Sequence, residues 1–332
     1  YPLRRQRQMC IRDRMKVVFM GTPDFAAGIL ESIINAGHQV VLAVTQCDKR
    51  KGRGQEMMFP PVKQMALAHD IPVYQPVKIR EPECLEPLKA VFPDIIIVAA
   101  YGQILPESIL KLAPLGCVNV HASLLPKYRG AAPIQWSIID GEKQTGVTTM
   151  MMDIGLDTGD MIEKAVVDIT EDDTAGSLHD KLMEAGCSLI LSTMEKLENH
   201  TAVLTPQNDS ESCYAKMLKK ELGNIDFNRP AEEIERLIRG LNPWPSAYTR
   251  YHGKTLKIWK ARVKEGDTSC KPGEITEVAK DTFCIQTGKH LLEVEELQLE
   301  GKKRMETKAF LSGVKLKAGE KLGTDSQDLS GK

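Results

Sequence analysis

The sequence predicts a doubly wound α/β domain with a mostly parallel sheet, followed by a small β-barrel. Three observations carry that prediction. Residues 16 to 170 alternate short apolar runs with helical segments, the rhythm of βαβ units. Several of the apolar runs are continuous, as in strands covered on both faces. From Lys219 onward short β-type runs follow one another, separated by Gly, Lys and Asp.

In chain order, the expected strands of the first domain are Lys16–Met20, Gln39–Thr45, Ile71–Tyr74, Asp94–Ala100, Cys117–His121 and Val147–Met152. Between them, Pro23–Ala36 reads as a helix, with Phe25, Ile29, Ile33 and Ala36 near one face; Pro106–Leu112 and Ala132–Ile139 are further helices. Gly21-Thr22-Pro23 begins like a dinucleotide-binding turn, yet Pro23 and Ala26 stand where G-x-G-x-x-G needs glycine. The simpler reading is a strand-to-helix turn with Pro23 at the first helical position. A long helix follows, striped by Leu178, Leu182, Ala185 and Leu189, with Thr174 as its N-cap. Thr201–Glu211 is polar and reads as linker. In the second domain a helix over Glu232–Leu241 buries Ile234, Leu237, Ile238 and Leu241, and strands run over Thr255–Trp259, Gly273–Val278, Thr282–Thr287 and Leu291–Leu299. The expected division is a Rossmann-like domain at 15–200, a linker at 201–218, an OB-like barrel at 219–323 and a tail at 324–332.

Composition agrees. A length of 332 residues suits about two domains. Hydrophobic content of 42% and charged content of 27% are those of a globular chain. No run approaches the ~20 apolar residues of a membrane span. The eight cysteines are scattered singly with no CxxC, which argues against a zinc knuckle or disulfide framework and for a reducing cytoplasm. Residues 1–14 differ from the rest: five arginines against one aspartate and no apolar core, so no secretory signal. We expect Met15, which directly precedes the first strand, to be the true start and 1–14 to be a non-native leader; the other reading is a basic arm. That leader contributes +4, so the chain from Met15 carries −5 rather than −1, and a polyanionic partner must be held by local patches.

Two segments could carry chemistry. In N-V-H-A-S-L-L-P-K-Y-R-G-A-A-P, Asn119 and His121 lie on one face of a strand at its end, where open α/β sheets place their sites. An amide donor stabilises an oxyanion and an imidazole moves a proton near neutral pH, although such a pair is also a common structural feature. In M-D-I-G-L-D-T-G-D, glycines flank Asp157 in a tight loop that could set a carboxylate beside His121 or be a plain polar turn. Spacing alone does not choose.

Together these two blocks resemble the folate-dependent formyltransferase family, and the likeness extends from F-M-G-T-P-D-F-A near Met15 to about Gly323. L-N-P-W-P-S-A-Y (Leu241–Tyr248) and L-Q-L-E-G-K-K-R-M-E-T-K-A-F-L-S-G (Leu297–Gly313) resemble the branch that acts on charged tRNA rather than the purine-biosynthetic one. The resemblance implies 10-formyltetrahydrofolate as donor and the α-amino group of methionyl initiator tRNA as acceptor. It also implies a catalytic set of Asn119, His121 and Asp157, folate contacts from Ser123, Leu124, Leu125 and Pro126, and no metal. A formyltransferase acting on a small amine, such as an amino-sugar nucleotide, is the alternative.

A tRNA would be held by cations near its phosphates. Asp48–Lys63 has five basic residues against two acids, Tyr214–Lys264 twelve against five, and Gly301–Lys321 seven against two. Arg53 sits in a Gly-Arg-Gly core that the resemblance assigns to a loop closing on the acceptor end, although C-D-K-R-K-G-R-G departs from the proline-containing form usual in relatives. Lys219 and Lys220 lie at the start of the barrel as further RNA contacts. Arg250, Lys254, Lys257, Lys260 and Arg262 alternate with apolar residues around Trp259, as a basic barrel face would. No membrane partner is expected, and a monomer is.

Overall fold

The computed structural model describes residues 14–51 and 56–323, and the chain forms two compact units. The first comprises residues up to Gly130 with Thr145–Asp168 and His179–Tyr214; the second comprises Ala131–Gln144, Ile169–Leu178 and the chain from Ala215.

In the first unit the strands are β1 (Lys16–Gly21), β2 (Gln39–Val44), β3 (Lys49–Lys51), β4 (Glu56–Met58), β5 (Val73–Tyr74), β6 (Ile95–Ala99), β7 (Cys117–His121), the short β8 (Arg129–Gly130), β9 (Gln144–Met151) and β10 (Met161–Asp168). Seven of them form one sheet in the order β10-β9-β7-β6-β1-β2-β5. β1 pairs in parallel with β2 and β6, β6 with β7 and β2 with β5, while β9 runs antiparallel to β7. The continuous apolar runs have the reason expected of them. Val18, Met20, Ile96 and Val98 face a cluster with Leu88, Leu105 and Ile109, contributed by the chain around the helices Leu85–Lys89 and Glu107–Leu110. On β7, Val120 turns toward Gly186 of the long helix Ala175–Glu198. Each fully buried aliphatic side chain contributes about 1.5–3 kcal/mol, so the five-residue β6, buried throughout, anchors the sheet.

At the end of β1, a Cβ on Gly21 would lie 2.6 Å from the Ala26 Cβ and 2.8 Å from the Ala99 carbonyl oxygen, so glycine is needed there for close packing. The helix Asp24–Asn35 follows, with Pro23 at the N-cap, one position before the first-turn site expected for it. Thr174 caps the long helix as expected: its Oγ1 accepts from Ser177 N at 3.2 Å, and Ser177 Oγ accepts from Thr174 N at 3.0 Å.

The polar stretch after β2, expected as a loop, begins and ends as the hairpin β3–β4, with Lys49 opposite Met58 and Lys51 opposite Glu56. β10 was not expected. It is a sheet edge in which Glu163 and Lys164 interrupt the apolar pattern, and an edge strand tolerates such charges.

The second unit carries the helices Pro133–Ile139 and Ala231–Gly240 and, after the short β11 (Tyr214–Ala215), the strands β12 (Ala247–Tyr251), β13 (Lys254–Lys264), β14 (Ile275–Val278), β15 (Phe283–Gln286), β16 (Leu291–Leu299) and β17 (Met305–Glu306), with a final helix at Thr307–Gly313. The small barrel expected here takes the form of an antiparallel sheet in the order β12-β13-β16-β15-β14, with β17 on β16. β12 and the final helix were not among the expected elements. The core gathers Ile234 and Ile238 of the helix with Leu256, Ile258, Phe283, Leu292 and Val294 of the strands. Pattern and packing agree: of the four apolar residues expected on one face of a helix over Glu232–Leu241, Ile234, Leu237 and Ile238 lie within the observed Ala231–Gly240 and Leu241 at its C-cap, and all four are buried.

Candidate active site

β7 sets out the first two site residues. Asn119 and His121 lie on the face opposite Val120, and across the antiparallel ladder they stand beside Met150 and Thr148 of β9. Both are buried, and among the described residues no protein group takes up the Asn119 amide.

His121 is held through both ring nitrogens. Nε2 lies 2.9 Å from the Tyr128 carbonyl oxygen. A carbonyl only accepts, so Nε2 carries hydrogen and donates, and Nδ1 is the nitrogen left to gain and lose a proton. Nδ1 faces the Asp157 Oδ2 at 3.8 Å, an ion-pair distance rather than a hydrogen bond. Tyr128 adopts φ +59°, which belongs to the tight turn that carries its carbonyl back to the ring.

Asp157 enters from the loop between β9 and β10. It has φ +54°, a left-handed conformation that aspartate tolerates better than most residues. Its Oδ2 accepts from Gly130 N at 2.8 Å. Two residues stiffen the loop. Asp153 Oδ1 accepts from Gly155 N at 3.0 Å and Thr158 Oγ1 at 2.7 Å. Gly159 lies so close to the Met151 carbonyl oxygen that a Cβ would collide with it. The structure therefore brings Asn119, His121 and Asp157 together, and the resulting site offers an amide, a protonatable ring and a carboxylate within one unit. Among the described residues no group of three or more His, Cys, Asp or Glu is arranged to hold a metal ion.

The segment Ser123–Pro126 forms the turn after β7. Ser123, Leu125 and Pro126 are buried and Leu124 is half-buried. Much of its polar capacity is spent on its own shape: Ser123 Oγ donates to the Lys127 carbonyl at 2.6 Å, and Thr148 Oγ1 donates to the Ser123 carbonyl at 2.7 Å while accepting from Leu125 N at 3.1 Å. Only Leu124, of the four expected folate contacts, presents a side chain with appreciable exposure.

Sequence reasoning missed three contributors. Thr148 braces the Ser123–Leu125 turn, the Tyr128 carbonyl fixes the His121 ring, and Gln207 touches the Asp157 loop through its side-chain amide. Thr148 stands opposite His121 in the β7–β9 register, which the strand pairing reveals and a count along β9, buried on both faces, does not. Gln207 carries no signal either, because it stands in the polar stretch read as linker.

The expected RNA contacts divide. Arg53 lies outside the described residues. Lys219 and Lys220 are exposed at the start of a short 3₁₀ turn, Lys220–Gly223, in the second unit. Lys63, counted among the cations of the first basic stretch, is an anchor. Its Nζ donates to Asp48 Oδ2 at 2.6 Å and Gln75 Oε1 at 2.8 Å and lies 4.0 Å from the Phe59 ring centroid. The hydrogen bonds from Lys63 and Gln75 hold the Asp48 carboxyl below the usual carboxylate range. On the second unit, Lys260 and Arg262 both pair with Glu295, at 3.0 and 2.7 Å. The basic alternation around Trp259 is thus partly neutralised by β16; Lys257 places its charge 5.5 Å from the Trp259 ring centroid, and Arg304, 4.9 Å from it, also donates from Nε to Glu296 Oε2 at 3.0 Å.

A doubly wound sheet presenting an amide, an imidazole and a carboxylate at a strand end has the groups that group-transfer chemistry needs. A family model described as formyl transferase matches residues 15–194, and one for the formyl transferase C-terminal domain matches residues 217–315; the chain belongs to the formyl transferase family. It is 57% identical over 305 residues to the methionyl-tRNA formyltransferase of Agathobacter rectalis, covering 92% of this chain and 98% of that protein. With the protein of the same name from Alkaliphilus oremlandii it shares 51% over 309 residues, covering 93% and 100%. Among solved structures, HypX from Aquifex aeolicus in complex with tetrahydrofolic acid aligns with a TM-score of 0.62 at 18% identity, over 91% of this chain and 47% of that one. WlaRD, a sugar 3N-formyl transferase, aligns with a TM-score of 0.63 at 20% identity, over 87% and 99%. At those identities the two structures show the shared fold.

Proposed function

We propose that this protein transfers the formyl group of 10-formyltetrahydrofolate to the α-amino group of methionyl initiator tRNA. The observation that carries the proposal is the likeness to relatives named methionyl-tRNA formyltransferase, at 57% and 51% identity over nearly their whole length. A small amine as acceptor, the alternative left by the motifs, is disfavoured by the same likeness.

The chemistry suits the residues. The amine attacks the formyl carbon, a new C–N bond forms, the donor's C–N bond breaks, and the amine's proton replaces the formyl group on the departing nitrogen. Asn119 would donate its amide N–H to the oxyanion that develops on the formyl oxygen. His121, with Nε2 committed to the Tyr128 carbonyl, would exchange its proton at Nδ1, and Asp157 would favour the charged ring and orient it. The turn at Ser123–Pro126, with Leu124 foremost, would meet the folate. Arg53, Lys219 and Lys220 would contact tRNA phosphates. We further propose that the protein works as a monomer in the cytoplasm; among the described residues no helix is long and apolar enough to cross a membrane.

The test is incubation with 10-formyltetrahydrofolate and either methionyl-tRNA or free amines. Formylation confined to the charged tRNA is the expected result. Formylation of a free amine or amino sugar with no preference for the tRNA would overturn the proposal.

A further inference from the structure

Gln207 stands in the polar segment after the long helix. The chain there is tied down on both sides: Thr205 and Met161 exchange backbone hydrogen bonds at 2.8 and 2.9 Å, and Asn208 accepts from Ser210 N with its side chain. Residues 203–206 and 208–210 are exposed, whereas Gln207 is half-buried and turned inward.

Its amide is fully employed. Nε2 donates to the carbonyl oxygens of Asp157 and Gly159, both at 2.8 Å. Oε1 accepts from Arg129 Nε at 2.9 Å, and Arg129 Nη2 in turn reaches Asp209 Oδ1 at 2.8 Å. The two carbonyls belong to the loop that carries Asp157 in its left-handed conformation. Arg129 directly precedes Gly130, whose N–H holds the Asp157 carboxylate, and directly follows Tyr128, whose carbonyl holds the His121 ring. One side chain therefore joins the backbone carrying the carboxylate to the segment that fixes both the carboxylate and the imidazole.

We infer that Gln207 is a positioning residue for formyl transfer, clamping the Asp157 loop against Arg129 so that the carboxylate stands at the Nδ1 of His121. Only an amide at this point supplies two donors to the loop and one acceptor to Arg129. A residue that merely filled the space would leave two loop carbonyls and the Arg129 Nε without partners and the 3.8 Å spacing to His121 unguarded. The inference rests on the proposed action of Asp157 through His121, and the experiment separates the two.

The test is a double-mutant cycle on the full chain with Gln207→Met, similar in length without the amide, and Asp157→Asn, read as steady-state formyl transfer to methionyl-tRNA across pH. Gln207→Met is expected to lower kcat about 10- to 30-fold with both KM values within about twofold, since it disturbs an interaction realised in the transition state. Its pH–rate profile is expected to move in the same direction as that of Asp157→Asn. The double variant is expected to be little slower than Asp157→Asn alone. Multiplying effects, or a Gln207→Met enzyme with kcat within twofold of the parent while Asp157→Asn is crippled, would overturn the positioning role alone. An Asp157→Asn enzyme with nearly full kcat would instead overturn the role of Asp157, and with it the inference. Should Gln207→Met not fold, Gln207→Glu serves in the same cycle: it keeps the acceptor for Arg129, lacks the two N–H donors, and faces the same criteria.

Discussion

Replacing Asp157 by asparagine isolates the charge of the site from its shape. The amide oxygen of asparagine can still accept from Gly130 N, as Asp157 Oδ2 does at 2.8 Å, so the loop keeps its tie. What disappears is the negative charge 3.8 Å from His121 Nδ1, in a site where the two side chains are 13% and 7% exposed. With an effective dielectric of about 20, a pair of unit charges at that distance attracts by about 4 kcal/mol. That is the order of the stabilisation a protonated ring can draw from the carboxylate at this dielectric, and it corresponds to a factor of about 10³ in rate. Solvent and neighbouring dipoles recover part of the loss, so a decrease in kcat of about 10²- to 10³-fold is expected, with KM for methionyl-tRNA nearly unchanged. The assay is steady-state formyl transfer at saturating donor with methionyl-tRNA varied, and tRNA affinity is measured separately by filter binding. A decrease below tenfold, or a loss carried mainly by KM, would refute the argument that this charge acts on the transition state.

Thr148→Val should remove the hydroxyl that bridges the Ser123 carbonyl and Leu125 N in a fully buried setting; about 1–3 kcal/mol of stability is expected to go, read as a Tm lower by several degrees, together with weaker donor binding. Arg53→Ala should weaken the reaction with charged tRNA, and the parent's salt dependence should become shallower by about one phosphate contact; an unchanged salt slope would remove Arg53 from the interface. Burial opposes ionisation of Glu163, but hydrogen bonds from Lys196, Thr193 and Ser192 prevail and hold its carboxyl below the ordinary range. A depressed carboxylate stabilises the fold above its unfolded pKa and loses that contribution as pH falls through the folded one. Glu163→Gln should therefore lower the Tm at pH 7 and converge with the parent in acid, which parallel melting curves from pH 7 down to about 3 would check.

Much of the fold was legible because its signals are local. The runs that became β1, β2 and β6 are apolar almost throughout since both faces of the sheet are covered, and Cys117–His121 begins and ends where the pattern places it. β10 was illegible because an edge strand need not bury both faces. The helix stripes of Leu178–Leu189 and Ile234–Leu241 follow from the 3.6-residue period.

For the site, the sequence by itself determined which groups are available: an amide and an imidazole two residues apart on a strand, and a carboxylate between glycines in a loop. It determined no distances, because Asn119 and His121 are separated from Asp157 by more than thirty residues and only the β7–β9 pairing and the closing loop bring them together. Tertiary structure alone decided that His121 Nε2 is committed to the Tyr128 carbonyl, so that Nδ1 is the nitrogen facing Asp157. It alone decided that Lys63 is an anchor, that Lys260 and Arg262 share Glu295, and that the Gln207 side chain donates into the loop that carries Asp157. Residue type states what a side chain can donate or accept. Which partner satisfies it is settled by the fold, through neighbours that are distant along the chain.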